Sequence, residues 1–186
     1  PLRLVGSEMC IRDRDQDGRV IYLSSLSKLL SPGLCIGFIV APAPVIARLR
    51  ALQRLMIRQI PGNNQIATAL FIQQGHYDRL LQKTRDSLAQ RAALVVQALR
   101  RELPEARFSV PSGGATLWLK LPWCHDSLAF YFAALEQGVL LDPGSAFFID
   151  PEGEQHYFLR MGFGSIPVER IEPGVRALAQ VVAGHL

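Results

Sequence analysis

Apolar and polar positions follow two rhythms along this chain. Behind the Asp17-Gly18 turn, Arg19 to Leu23 is a short β-branched and aromatic run, which predicts a strand entering Ser24 to Lys28. The Ser31-Pro32-Gly33 turn precedes a second apolar run, Cys35 to Ala41, which reads as a buried strand. Pro42 and Pro44 then open a helix in which Val45, Ile46, Leu49, Leu52, Leu55 and Met56 recur at helical spacing between Arg48, Arg50 and Arg54, and Pro61-Gly62 ends it. A second helix is expected over Asn63 to Gln74. After Gly75 a long helix runs over Tyr77 to Leu103, with Leu80, Leu81, Leu88, Ala92, Val95, Val96 and Leu99 as its apolar stripe, and Pro104 closes it.

Beyond this point the elements shorten. Strands are expected at Arg107 to Val110, Thr116 to Leu121, Val139 to Leu141 and Tyr157 to Phe163, with helices over Ser127 to Gln137 and Val168 to Ala183. Strands alternating with helices predict an α/β or α+β sandwich, and the change of texture places a domain boundary near residue 103.

Composition narrows the classes. Hydrophobic residues make up 49% of the 186 and charged residues 19%, which excludes a chain kept disordered by charge. The net charge of +4 is too small and scattered to signal nucleic-acid binding by itself. Cys10, Cys35 and Cys124 lie far apart, so no local disulfide framework or CxxC site is available, and a reducing cytoplasm fits best. No apolar run approaches the ~18 residues of a membrane span, no signal peptide is evident, and no metal-ligand spacing occurs among the histidines. The first fourteen residues have neither periodicity, and Val5 to Arg14 resembles a translated sequencing-adapter read. Residues 1–14 are therefore expected to be non-native or disordered, with the natural sequence starting near Asp15.

The most informative stretch is Tyr22 to Phe38, which sets one lysine, Lys28, among four serines in a region otherwise poor in lysine. A lysine flanked by leucines after a strand is expected to be partly desolvated, which favours the neutral amine needed for Schiff-base chemistry. The pattern S-x-S-K-x-x-x-P-G-x-x-x-G, from Ser25 to Gly37, resembles the cofactor-lysine motif of fold-type I pyridoxal-phosphate enzymes, the aspartate aminotransferase superfamily. By that resemblance Lys28 is the Schiff-base lysine, and Ser25, with Ser27 beside it, contacts the cofactor phosphate.

Further matches follow in order. Gly113 to Trp118 resembles the family's GG-x-x-x-W strand at the entry to the small domain, and Gly138 to Phe147 its GV-x-x-x-PG-x-x-F loop bordering the active site. Phe158 to Phe163 matches the strand whose arginine binds the substrate α-carboxylate, which gives Arg160 that role. A guanidinium suits it, because its planar fork grips a carboxylate with two parallel hydrogen bonds. One departure stands out: where the family has an arginine pairing with the cofactor phosphate, this chain has Cys35. A neutral thiol cannot make that contact, so weakened cofactor binding, a sequence error or compensation by another basic residue is implied.

Arg58 to Gln65 and Gly75 to Arg79 look most like the aminotransferase-like domain of MocR/GntR-type transcriptional regulators and their stand-alone aminotransferase relatives. In the family this region packs at the dimer interface near the neighbouring subunit's cofactor, which makes Asn63 and Asn64 candidates; both also read as helix N-caps. Ser25 to Lys28 satisfies S-x-x-K as well, but the S-D-N and K-T-G companions of an acyl-enzyme site are absent, as are dinucleotide and P-loop glycine patterns.

The resemblance therefore implies the C-terminal part of an aspartate-aminotransferase-like fold. Residues 15–103 would end the large cofactor domain and 104–186 would form the small domain. The implied activity is amino-group transfer between an amino acid and a 2-oxo acid with pyridoxal 5'-phosphate, in a homodimer when full length. The alternative is the effector domain of a MocR/GntR-type regulator, sensing the cofactor or a small amine and reaching DNA only through an upstream domain. The fold alone does not separate these.

Overall fold

The computed structural model describes residues 15–57, 59–122, 124–149 and 157–185. The expectations placed on residues 1–14 and on Arg58 lie outside the described residues. The chain divides into two compact units, 1–81 and 82–186, each with its own sheet.

In the first unit, β1 (Tyr22–Ser25) pairs antiparallel with β2 (Gly37–Val40), with Tyr22 opposite Val40 and Ser25 opposite Gly37. Gly37 suits the close hairpin: a Cβ there would lie 3.1 Å from the Ser24 carbonyl oxygen, a tight contact that the backbone would have to ease. The hairpin is followed by α1 (Ala43–Met56), with its N-terminal prolines, and by α2 (Gly62–Gln73). The apolar run Cys35 to Ala41 reads as a buried strand, but β2 is exposed to half-buried throughout, and α1 buries no residue. An apolar run reports the need for cover, and among the described residues β2 has no buried position.

Helix α3 (His76–Glu102) starts after Gly75, whose φ of +71° lies in the left-handed region that ends α2. The division between the units falls within this helix at Leu81, upstream of the sequence boundary near residue 103. The physical reason is that Val95, Val96, Ala98, Leu99 and Leu103 of α3 belong to the core of the second unit.

That second unit is an antiparallel four-stranded sheet in the order β3-β4-β6-β5, formed by β3 (Arg107–Phe108), β4 (Thr116–Lys120), β5 (Asp142–Pro143) and β6 (Phe158–Gly162). Its helices are α4 (Ser127–Glu136) and α5 (Val168–His185). The period-2 geometry of the strands sorts the side chains. Leu117, Leu119 and Leu121, with Leu159, Met161 and Phe163, join the helical residues Phe130, Ala134, Ile171, Val175 and Leu178 in one buried core. The alternate positions Trp118, Lys120, Phe158 and Arg160 point to the other face. Asp126 caps α4, its Oδ1 accepting from the N–H groups of Leu128 at 2.9 Å and Ala129 at 3.1 Å. The turn after β6 needs Gly164, because a Cβ there would meet the Ala115 Cβ at 2.6 Å.

The strand expected at Val139 to Leu141 is displaced to Asp142–Pro143. The Val139 N–H is already used: it donates to the Ala134 carbonyl at 2.9 Å, closing α4 around Gly138, whose φ is +75°. No helix among the described residues is long and apolar enough to cross a membrane.

Candidate active site

The lysine loop is built by short-range hydrogen bonds. The Leu26 N–H donates to the Ile36 carbonyl at 3.0 Å, extending the hairpin past β1, and the Leu26 side chain is buried. The chain then turns, with the Leu30 N–H donating to the Leu26 carbonyl at 2.9 Å, and this turn carries Lys28. Ser25 stitches the turn: its Oγ accepts from the Ser27 N–H at 3.2 Å and donates to the Ile36 carbonyl at 3.4 Å. Lys28 itself is exposed, which corrects the expectation of partial desolvation. The flanking leucines, Leu29 and Leu30, are only half-buried and leave the amine in water.

Cys35 ends the 3-10 turn Pro32–Leu34 in a left-handed conformation, φ 50° and ψ 37°, unusual for a residue with a Cβ. Its N–H and its Sγ both donate to the Pro32 carbonyl, at 3.3 and 3.4 Å. The thiol is thus engaged with its own turn. Asn64 Nδ2 reaches back from α2 to the Leu34 carbonyl at 3.1 Å, tying that helix to the same turn. The N-cap reading of Asn63 and Asn64 is overturned: Pro61 occupies the cap position, and both asparagines lie inside the first turn of α2. Pro61 already fixes the backbone there, so no asparagine side chain is called on to start the helix. Asn63 is exposed.

The structure therefore gathers Ser25, Ser27, Lys28, Cys35 and Asn64 in the first unit. Arg160 belongs to the second. It lies on the uncored face of the sheet, directly opposite Trp118 on one side and Asp142 on the other. Its Nε and one Nη both donate to Asp142 Oδ2 at 2.8 Å, and its guanidinium lies 4.6 Å from the centre of the Phe147 ring. The surrounding aromatic set is continuous: Trp118 stacks on Phe158 at 5.4 Å and meets Phe147 edge-on at 5.6 Å. Asp142 was not among the residues singled out in the sequence. The signal that could have found it is cross-strand register, which the sequence carries only once β5 is placed correctly.

Among the described residues no group of three His, Cys, Asp or Glu side chains is placed to hold a metal ion. A cavity of about 410 Å³ lies in the second unit beside Val139, Leu141, Phe163, Ile171 and Arg170, and none of the site residues predicted from sequence lines it. His76 bridges the α2–α3 break, with Nε2 against Gln74 Oε1 at 3.1 Å and Nδ1 against an Arg79 guanidinium nitrogen at 2.6 Å.

A lysine turn between paired strands, followed by an all-antiparallel sheet with an arginine on its open face, matches a known architecture across nearly the whole chain. Residues 6–178 match the family described as aminotransferase class I and II. The chain belongs to that family. The match begins within the segment 1–14 that the sequence reading sets aside.

Within the aminotransferase class I and II family, the chain is 33% identical over 172 residues to the HTH-type transcriptional regulator TauR of Rhodobacter capsulatus, covering 92% of this chain and 35% of that protein. It is 34% identical over 168 residues to the 2-aminoadipate transaminase of Thermus thermophilus, covering 90% and 42%. The crystal structure of LysN, an α-aminoadipate aminotransferase of Thermus thermophilus complexed with N-(5'-phosphopyridoxyl)-L-leucine, superposes with a TM-score of 0.79 at 32% identity, over 89% of this chain and 42% of that one. The fold is thus part of the aspartate-aminotransferase-like, fold-type I architecture. The chain spans well under half the length of these relatives.

Proposed function

We propose that this chain is the C-terminal part of a pyridoxal-phosphate-dependent aminotransferase, moving an amino group between an amino acid and a 2-oxo acid. The observation that carries the reading is the Lys28 turn: an accessible ε-amine held on a Ser25-stitched hairpin in a chain of this family. The residues present fit covalent attachment of the cofactor and a hydroxyl contact to its phosphate. At Cys35 they do not fit the charged contact, because a neutral thiol turned onto Pro32 offers none.

When bound, the cofactor supplies the electron sink for charge developing at the substrate Cα. Lys28 Nζ would hold it covalently and, as a free amine, would accept and return the Cα proton. Arg160 would bind and orient the α-carboxylate, and Asn64 would keep the Pro32–Cys35 turn in register with α2. The working unit in this reading is a cytoplasmic homodimer.

A second reading is supported by the similarity to TauR, at 33% identity against 34% for the transaminase. In it Lys28 serves to sense pyridoxal phosphate or a small amine, and DNA is contacted through another domain. Both readings require Lys28. The test is to treat the protein, extended to the length of its relatives, with pyridoxal phosphate and borohydride and to map the peptides. The pyridoxyl group is expected on the Lys28 peptide and absent from a Lys28→Ala variant; labelling of Lys83 or Lys120 instead contradicts both readings. Turnover of amino donors by the labelled-competent protein then favours the enzyme, and its absence favours the regulator.

A further inference from the structure

The face of the second unit that carries Arg160 holds a carboxylate of its own. Asp142 and Arg160 are directly opposed in the β5–β6 register, 18 residues apart in sequence. Nε and one Nη of the guanidinium converge on the single atom Oδ2, each at 2.8 Å, while the Phe147 ring lies against the guanidinium at 4.6 Å. An Arg fork aimed at a carboxylate is the arrangement that a substrate α-carboxylate would otherwise complete. The two side chains remain 43% and 50% exposed, so an anion from solution can reach the pair.

Resting on the reading of Arg160 as the α-carboxylate ligand, we infer that Asp142 is a specificity-determining residue, an internal competitor that an incoming carboxylate must displace from Arg160. The chemistry has two consequences. A carboxylate ligand gains less here than at an unpaired arginine, since it exchanges one charge-assisted pair for another and leaves Asp142 beside it as a like charge. A primary amine without an α-carboxylate loses less than it would at an unpaired arginine, because the guanidinium already has its partner. Sites built to hydrogen-bond a substrate group reject analogues lacking it through the group left unpaired, and Asp142 removes that penalty. Discrimination against small amines lacking the α-carboxylate is therefore weaker here than at an unpaired arginine.

The plain alternative is a cross-strand ion pair that serves the sheet alone. The two are separated by titrating acetate, with acetamide as the uncharged control, into the 15N-labelled 186-residue chain at constant ionic strength. The backbone amide resonances of Trp118 and of positions 142 and 160 report the site in every variant, joined by the Arg160 Nε–H where the arginine is present. Asn is isosteric with Asp at this half-exposed position, so Asp142→Asn should fold. It is expected to bind acetate about fivefold more tightly than the parent, the upper range of what a partly exposed ion pair withholds, with acetamide shifting neither protein. If Asp142→Asn binds acetate no more tightly while Arg160→Gln removes the binding, the competitor role is overturned and the Arg160 reading stands. If Arg160→Gln leaves acetate binding unchanged, both fall.

Discussion

The segment carrying Lys28 and the segment carrying Arg160 are closed to different degrees. In residues 82–186, Leu99, Leu119, Leu121, Leu159 and Leu178 are completely buried, and three helices contribute to one core beneath the sheet. In residues 15–81 the buried apolar side chains are Leu26 and Tyr77, while Leu55 is 82% exposed, Met56 79% and Leu23 66%. Burial of apolar area is the dominant favourable term in folding. The two candidate groups consequently draw their order from different sources. Arg160 is fixed by a sheet with its own core, whereas Lys28 is held by local hydrogen bonds on a hairpin whose apolar positions ask for a cover that residues 15–81 do not supply.

The contrast can be broken most forcefully in the core. Leu159→Ala removes a fully buried side chain from the centre of the second unit and should cost about 2–5 kcal/mol of stability in chemical denaturation. Leu55→Ala, at an exposed position of α1, should change it by less than about 0.5 kcal/mol. Similar losses for the two would erase the distinction.

Next in size is the cofactor contact. Cys35→Arg places a guanidinium where the resemblance to the family implies one, and in the protein extended to its relatives' length it should tighten pyridoxal phosphate binding by about 1.5–3 kcal/mol, roughly 10- to 150-fold, as measured by equilibrium titration. Unchanged affinity would mean that another basic residue already pairs with the phosphate. A smaller effect tests the caps. Asp126→Ala removes the side chain that accepts two N–H groups at the start of α4 and should lower the stability of the second unit by about 1 kcal/mol.

The smallest effect at neutral pH concerns the thiols. Burial pushes the Cys124 thiol above its ordinary value. The folded state therefore holds that proton more tightly than the unfolded chain, so the Cys124 contribution is intact at neutral pH and is lost as pH rises through the alkaline range where the unfolded thiol ionises first. Alkylation followed by peptide mapping should modify exposed Cys35 quickly at neutral pH and leave Cys124 protected until the chain unfolds. Equal rates would contradict the burial.

Much of this was legible in the sequence because it is local. The Pro42 and Pro44 helix start, the Gly75 break and the 2-residue alternation in Thr116 to Leu121 each have a cause within a few residues, and the elements fall where those causes put them. The Ser25 to Lys28 stretch stands out for the same reason, being one continuous loop. What escaped were features set by competition or by distance. Val139 to Leu141 has strand composition, yet the Val139 N–H is claimed by the end of α4. Asn63 and Asn64 have cap chemistry, yet Pro61 comes first. The Leu29 and Leu30 neighbours of Lys28 suggest burial, but flanking residues on a turn do not cover a side chain pointing into water. The Asp142–Arg160 pair depends on the register of two strands that no short window contains.

Hydrogen exchange followed by mass spectrometry on the 186-residue chain tests the central contrast most directly, because protection reports the free energy of opening segment by segment. Peptides from β4, β6 and α5 are predicted to exchange only through cooperative opening of the second unit, and those from β1, β2 and α1 to exchange with little protection. Protection of the Lys28 hairpin equal to that of β4 and β6 would contradict the account.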